Sequence, residues 1–133
     1  MTDAELYKIA EDAAEGAYAP YSGYKVGAAL LTKDGSIYTG VNIENSSYGA
    51  SICAERTAAA KAISEGHRSF AALAVAAPDT GEPAWPCGIC RQFIFEFGGD
   101  IRVISGKNAD SIEVHHLDEL LMNGFILKNG EGK

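Results

Sequence analysis

The sequence predicts an α/β fold in three layers, with helices over both faces of a central mixed β-sheet of about five strands. Three observations point there. Two strand-like runs flank Lys33-Asp34-Gly35-Ser36, and Asp-Gly between such runs is a hairpin signal. Residues 70–77 form a continuous apolar run, as expected of a central strand buried on both faces. After the hairpin, helix-like and strand-like segments alternate, which mixes strand directions within one sheet.

Each element has its own warrant. Residues 4–17 carry Leu6, Ile9, Ala10, Ala13 and Ala17 at three- and four-residue steps, an amphipathic helix with Asp3 as its expected cap. Pro20-Tyr21-Ser22-Gly23 breaks it. Strands are expected over 26–31 and 37–43, followed by a polar, turn-rich stretch over 42–51. Residues 53–65 are Ala-rich and helical in pattern, and Gly66 stops them. The strand over 70–77 leads into a loop over 78–86. A helix over 87–97 closes at Gly98-Gly99. Short strands over 101–104 and 112–114 and a short helix from Leu117 to Leu121 complete the order, and the tail from Asn129 is expected to be loose.

The chain has 133 residues, read as one domain over 1–133 because no repeat or Pro/Gly/Ser-rich linker divides it. Lys and Arg total 11 against 18 Asp and Glu, a formal charge of −7. A binder of DNA, RNA or anionic membrane would be expected to carry a basic stripe, and none is visible. A small neutral or cationic ligand fits the charge better. No apolar run approaches the ~20 residues of a membrane span. The acidic N-terminal residues lack a secretory pattern, so the expected location is the cytoplasm. Three cysteines, Cys53, Cys87 and Cys90, do not make a disulfide framework; in a reducing compartment they point to metal or catalysis.

Cys87 and Cys90 form a C-x-x-C pair after Pro86. Residues three apart share a helix face, so both sulfurs can reach one metal, and a helix N-terminus favours their thiolates. Proline suits the first turn because it has no N–H to leave unsatisfied. Cys53 stands at another helix start, and three thiolates suit Zn²⁺. His67 lies 14 residues past Cys53, about 21 Å along an unbroken helix. That makes it a poor fourth ligand, while His115 and His116 stay open by spacing. Three protein ligands with one open position is the catalytic pattern of zinc.

Glu55 decides the chemistry. Residues two apart on an ideal helix diverge by about 200°. Glu55 and Cys53 therefore converge only if Cys53 occupies the irregular cap turn. So placed, Glu55 could move a proton from metal-activated water to a substrate. Arg56, three residues past Cys53, could offset the excess negative charge of three thiolates, with Arg91 as a weaker second candidate.

With these residues in place the chain resembles the zinc nucleoside deaminases. Cys53-Ala54-Glu55 followed by Pro86-Cys87-Gly88-Ile89-Cys90 is similar to the signature (His or Cys)-x-Glu…Pro-Cys-x-x-Cys. Pro20-Tyr21-Ser22, Val26-Gly27-Ala28-Ala29 and Asn42-Ile43-Glu44-Asn45 precede it in the order found in the small cytidine deaminases. A cysteine as first ligand in so short a chain resembles their homotetrameric branch.

The resemblance implies one Zn²⁺ per subunit and hydrolytic deamination of cytidine and 2′-deoxycytidine to uridine and 2′-deoxyuridine with release of ammonia, a step of pyrimidine salvage. Zinc-bound hydroxide would attack C4 while Glu55 shuttles protons and holds N3. Asn42 and Glu44 would bond the ribose hydroxyls; two polar side chains of one strand parity can face one pocket, and the Glu44 carboxylate would repel a nucleotide's phosphate. The Ala54 N–H would meet the base carbonyl, and Tyr24 falls where the family packs an aromatic near the base. Tyr48 is expected near a subunit boundary. Phe125 matches an aromatic that enters a neighbouring subunit's site and stacks on the base. The family's Leu-Pro-x-x-Phe pattern is here Leu121-Met122-Asn123-Gly124-Phe125, without the proline. The competing readings are a deaminase of another cytosine nucleoside or antibiotic, a non-enzymatic structural zinc module closed by a histidine, and a polynucleotide editor.

Overall fold

The computed structural model describes residues 1–127, so the expected loose tail from Asn129 lies outside the described residues. The chain runs α1 (Asp3–Ala13), β1 (Gly27–Thr32), β2 (Ile37–Val41), α2 (Ala54–Ser64), β3 (Phe70–Ala76), α3 (Gly88–Phe95), β4 (Arg102–Asn108), β5 (Ser111–His116) and α4 (Leu117–Leu120). The sheet order is β2-β1-β3-β4-β5. Only β3 and β4 are parallel; the other pairs are antiparallel, including the β1–β2 hairpin, which pairs Gly27 with Val41 and Leu31 with Ile37.

β3 shows why the sheet needs cover on both faces. Its side chains alternate between two cores. Ala72, Ala74 and Ala76 face α1, where they meet Leu6, Tyr7 and Ala10. Leu73 and Val75 face the opposite core with Ala58 and Ala62 of α2 and Ile94 of α3. Small residues let α1 lie close, while the larger ones fill the space under α2 and α3. The three-layer mixed sheet of the sequence reading is therefore the observed architecture. Among the described residues, no helix is long and apolar enough to cross a membrane.

Several local expectations change. Thr2, not Asp3, caps α1: its hydroxyl accepts from Glu5 N at 3.1 Å and the Glu5 carboxylate accepts from Thr2 N at 2.6 Å. Two orphan donors are satisfied at once in this Thr-x-x-Glu box. Asp3 instead accepts from Arg102 Nη2 at 2.8 Å. The helix stops at Ala13 and tightens into a 3₁₀ turn over Ala14–Gly16. The chain then extends, so that Tyr18 can bridge to Ile43. That bridge, and a second from Ile43 to Ile52, take Ile43 out of β2, which ends at Val41 rather than 43. β4 and β5 run longer than expected because they form a hairpin through polar residues around Asn108.

Candidate active site

Both metal-facing helices start at a cysteine. Cys53 is the N-cap of α2, with φ −78° and ψ 155°, and Cys87 is the N-cap of α3, with φ −69° and ψ 170°. An extended cap residue lies outside the 3.6-residue spiral. The condition set by the sequence is met: Cys53 and Glu55 line one cleft together with Cys87. Cys90 follows in the first turn of α3, buried behind them.

The three Sγ atoms all lie within 4.8 Å of one another, and Cys53 Sγ is 3.8 Å from Cys87 Sγ. Zn–S bonds of about 2.3 Å in a tetrahedron require sulfurs about 3.8 Å apart. The donor set is soft, compact and half open, so it fits zinc with a free position toward the cleft. Among the described residues this is the only such cluster of potential ligands. The histidines lie elsewhere: His67 Nδ1 is 3.6 Å from Asp34, His115 packs edge-on to Trp85 at 5.0 Å, and His116 caps α4. The structural-module reading, which needs a histidine to close the site, loses its ligand.

Charge in the cluster is uneven. The Cys53 thiol is pulled down to about 5, first by a hydrogen bond shared with Cys90 and then by Arg56, while the buried Cys90 thiol is pushed up by the same shared bond. Arg56 Nη2 lies 4.0 Å from Cys53 Sγ, where a guanidinium offsets thiolate charge. Glu55 is 4% exposed, and burial pushes its carboxyl up to about 7, aided by the neighbouring Cys53. A group so placed can both take and return a proton near neutral pH.

The cleft walls include Tyr24, Asn42, Glu44 and Ala54, as well as Ile52, Val75, Ala84 and Trp85. Asn42 and Glu44 are tied to their own protein. Asn42 Oδ1 accepts from Val26 N at 2.9 Å and its Nδ2 donates to Tyr24 O at 2.7 Å. Glu44 Oε1 accepts from Tyr21 N at 2.9 Å and Ser22 N at 3.1 Å, and Oε2 accepts from the Ser22 hydroxyl. These bonds fix the rim and leave Asn42 one amide N–H for a ligand.

Two sequence-selected residues stand apart from this cleft. Tyr48 is 76% exposed and lines an adjoining hollow with Tyr21 and Ser22. Phe125 is 62% exposed, beyond the last strand. Arg91 does not serve the thiolates as an offsetting charge. Its Nε donates to Pro86 O and its Nη1 to Leu120 O, both at 2.6 Å, so it braces the Pro86-Cys87 loop against the end of α4. Trp85 was not foreseen as a wall. Its only sequence signal is its place two residues before Cys87.

The profile of the cytidine and deoxycytidylate deaminase zinc-binding region matches residues 1–107. The chain is 52% identical to the cytidine deaminase of Halalkalibacterium halodurans over 93% of this chain and 94% of that protein. It is also 52% identical to the cytidine deaminase of Sporosarcina psychrophila over 91% of this chain and 89% of the other. In three dimensions it is similar to the crystal structure of cytidine deaminase from Burkholderia pseudomallei, with a TM-score of 0.87, 45% identity, and coverage of 94% of this chain and 100% of that one.

Proposed function

Since the chain belongs to the family of cytidine and deoxycytidylate deaminases, we propose that it hydrolyses cytidine and 2′-deoxycytidine to uridine and 2′-deoxyuridine, releasing ammonia. The observation that carries this reading is one cleft wall shared by the buried Glu55 carboxyl and the Cys53 and Cys87 thiols. Cys53, Cys87 and Cys90 hold one zinc per subunit. Bound there, zinc supplies the Lewis acidity that makes water a nucleophile at neutral pH.

The chain's own residues do the rest. Glu55 takes a proton from the attacking water and delivers it to N3 of the base. It then carries the second proton to the departing amine, so water and cytidine balance uridine and ammonia. A carboxyl that titrates near neutrality suits both transfers. The Ala54 N–H at the start of α2 holds the base carbonyl, where the helix dipole favours a partial negative charge. Asn42 and Glu44 bond the ribose, and Tyr24 packs beside the base. Arg56 offsets the charge of the thiolates.

Tyr48 and Phe125 act across subunit boundaries in a homotetramer, with Phe125 stacking on the base in a neighbour's cleft. Their exposure in one chain supports that assignment. The chain is a single catalytic domain over 1–133 and works in the cytoplasm.

The test is ammonia release from cytidine by the zinc-loaded protein, with Glu55→Ala beside it. Turnover by the wild type, with loss of activity but retention of zinc in the variant, supports the reading. Comparable activity in both removes Glu55 as the proton carrier. Inactivity of both with zinc bound removes cytidine as the substrate.

A further inference from the structure

Helix α3 carries more than two metal ligands. One face of it also grips the segment leading to Phe125. Arg91 holds Leu120 O at 2.6 Å. Gln92 meets the backbone of Phe125 twice: its Nε2 donates to Phe125 O at 2.7 Å, and its Oε1 accepts from Phe125 N at 3.4 Å. Phe95 lies under Gly124 so closely that an added Cβ there would come within 3.0 Å of its ring and 2.6 Å of Leu121 Cδ2. The turn preceding Phe125 includes Asn123 at φ 58°.

The combination is specific. The peptide groups of Phe125 are clamped by a side chain two residues from Cys90, yet the Phe125 ring is 62% exposed. Packing within the chain gives no reason to order that backbone so closely. Presenting the ring to something else does, because an aromatic on a fixed backbone loses less conformational freedom when it docks. The family's proline before this aromatic is absent at Met122; the Gln92 clamp and the Phe95–Gly124 contact supply the restraint by another route.

We propose that Gln92 is a positioning residue for substrate binding: its carboxamide sets the backbone of Phe125 so that the ring enters a neighbouring subunit's cleft. This rests on the reading of Phe125 given above.

The experiment compares full-length, zinc-loaded wild type, Gln92→Ala, Gln92→Glu, Phe125→Ala and the Gln92→Ala/Phe125→Ala double variant. Steady-state cytidine kinetics are measured with zinc content and sedimentation size as controls. Phe125→Ala is expected to raise KM about tenfold or more, the scale of a lost aromatic contact. Gln92→Ala is expected to raise KM about three- to tenfold with kcat within about twofold, the scale of one or two lost hydrogen bonds. Gln92→Glu keeps the size of the side chain and the acceptor for Phe125 N but sets a carboxylate against Phe125 O, so its KM should rise at least as far. In the Phe125→Ala background, Gln92→Ala should add nothing, which a generally structural residue would not show. Wild-type KM in both Gln92 variants overturns the proposal, as does an undiminished Gln92→Ala effect without Phe125. An unchanged KM in Phe125→Ala overturns the reading of Phe125 and this proposal with it, an outcome read without the Gln92 variants.

Discussion

Arg56 Nη2 stands 4.0 Å from Cys53 Sγ, one turn along the helix that Cys53 caps, while its Nε is buried without a partner. A polar atom left unpaired inside a protein is costly. The arrangement is tolerable because the guanidinium faces thiolates that need a counter-charge. Two helix N-termini supply part of it, and among the described residues Arg56 supplies the only full positive charge that touches the cluster. Replacing Arg56 by Gln should leave zinc bound and lower kcat by about 10- to 100-fold, the range for one hydrogen bond to a charged group. Steady-state kinetics with metal analysis checks it. Unchanged kcat would reduce Arg56 to a packing role.

Arg91, next to Cys90 in the sequence, does a different job. It spans from Pro86 O to Leu120 O and so ties the loop that presents Cys87 to α4. Arg91→Met removes both bonds and leaves the carbonyl of the buried Pro86 without this donor. The expected cost is about 2–3 kcal/mol, a fall in melting temperature of about 5–10 °C at fixed protein concentration. Zinc should also pass more readily to a chelator. Arg91→Lys should recover less than half of the loss, because a single ammonium cannot reproduce the planar two-pronged contact. Thermal melts and chelator competition decide between brace and bystander.

What the sequence disclosed divides along physical lines. The hairpin at Asp34-Gly35, the buried run of β3 and the cysteines at helix starts are local signals, and each held in the fold. The convergence of Cys53 with Glu55 was legible as a geometric condition, since helical periodicity states what the cap must do. The Thr2-x-x-Glu5 box was equally readable, but Asp3 is also a good capping residue and the two compete one position apart. Only the middle of β5, over 112–114, was legible, because its residues are largely exposed at the sheet edge and lack a strong apolar alternation. Trp85 as a wall and Arg91 as a brace depend on residues far along the chain, such as Leu120, and no local pattern encodes them.

Glu44 offers a pH-dependent test away from the metal ligands. The Ser22 hydroxyl, followed by the backbone N–H groups of Tyr21 and Ser22, holds its carboxyl below the ordinary carboxylate range. A depressed folded-state value means the folded protein binds fewer protons than the unfolded chain, so the stabilisation is present above about 4.5 and is lost as pH falls through the folded value. Glu44→Gln replaces one acceptor oxygen with a donor that cannot accept the Ser22 hydroxyl proton and carries no negative charge. The variant should melt below wild type at pH 6–7, and the difference should shrink steadily toward about pH 3. A gap that stays constant with pH would show that the ionised carboxylate is not what holds the Tyr21–Ser22 turn.

The sheet helps to place the metal ligands through a close approach of backbone to backbone. Gly40 of β2 lies directly beneath α2: an added Cβ would come within 2.4 Å of both Ala54 O and Ala58 N. The contact is with backbone, so no side chain can turn aside, and Gly40→Ala must push the start of α2 outward. Cys53 caps that helix, so the push carries it away from Cys87, now 3.8 Å distant. Gly27 of β1 makes the matching approach on the other face, where a Cβ would lie 2.1 Å from Ala10 O and 2.5 Å from Ala14 N of the α1 segment. No proposed zinc ligand rides on α1. Both substitutions should cost about 3 kcal/mol or more by overpacking. Only Gly40→Ala should weaken zinc binding in the protein that remains folded, by about tenfold or more, since a soft-metal site tolerates little change in ligand spacing. Melting curves paired with zinc titrations of the folded fraction separate the two effects. Equal zinc affinity in both variants would mean that the α2 start does not depend on Gly40 for its position.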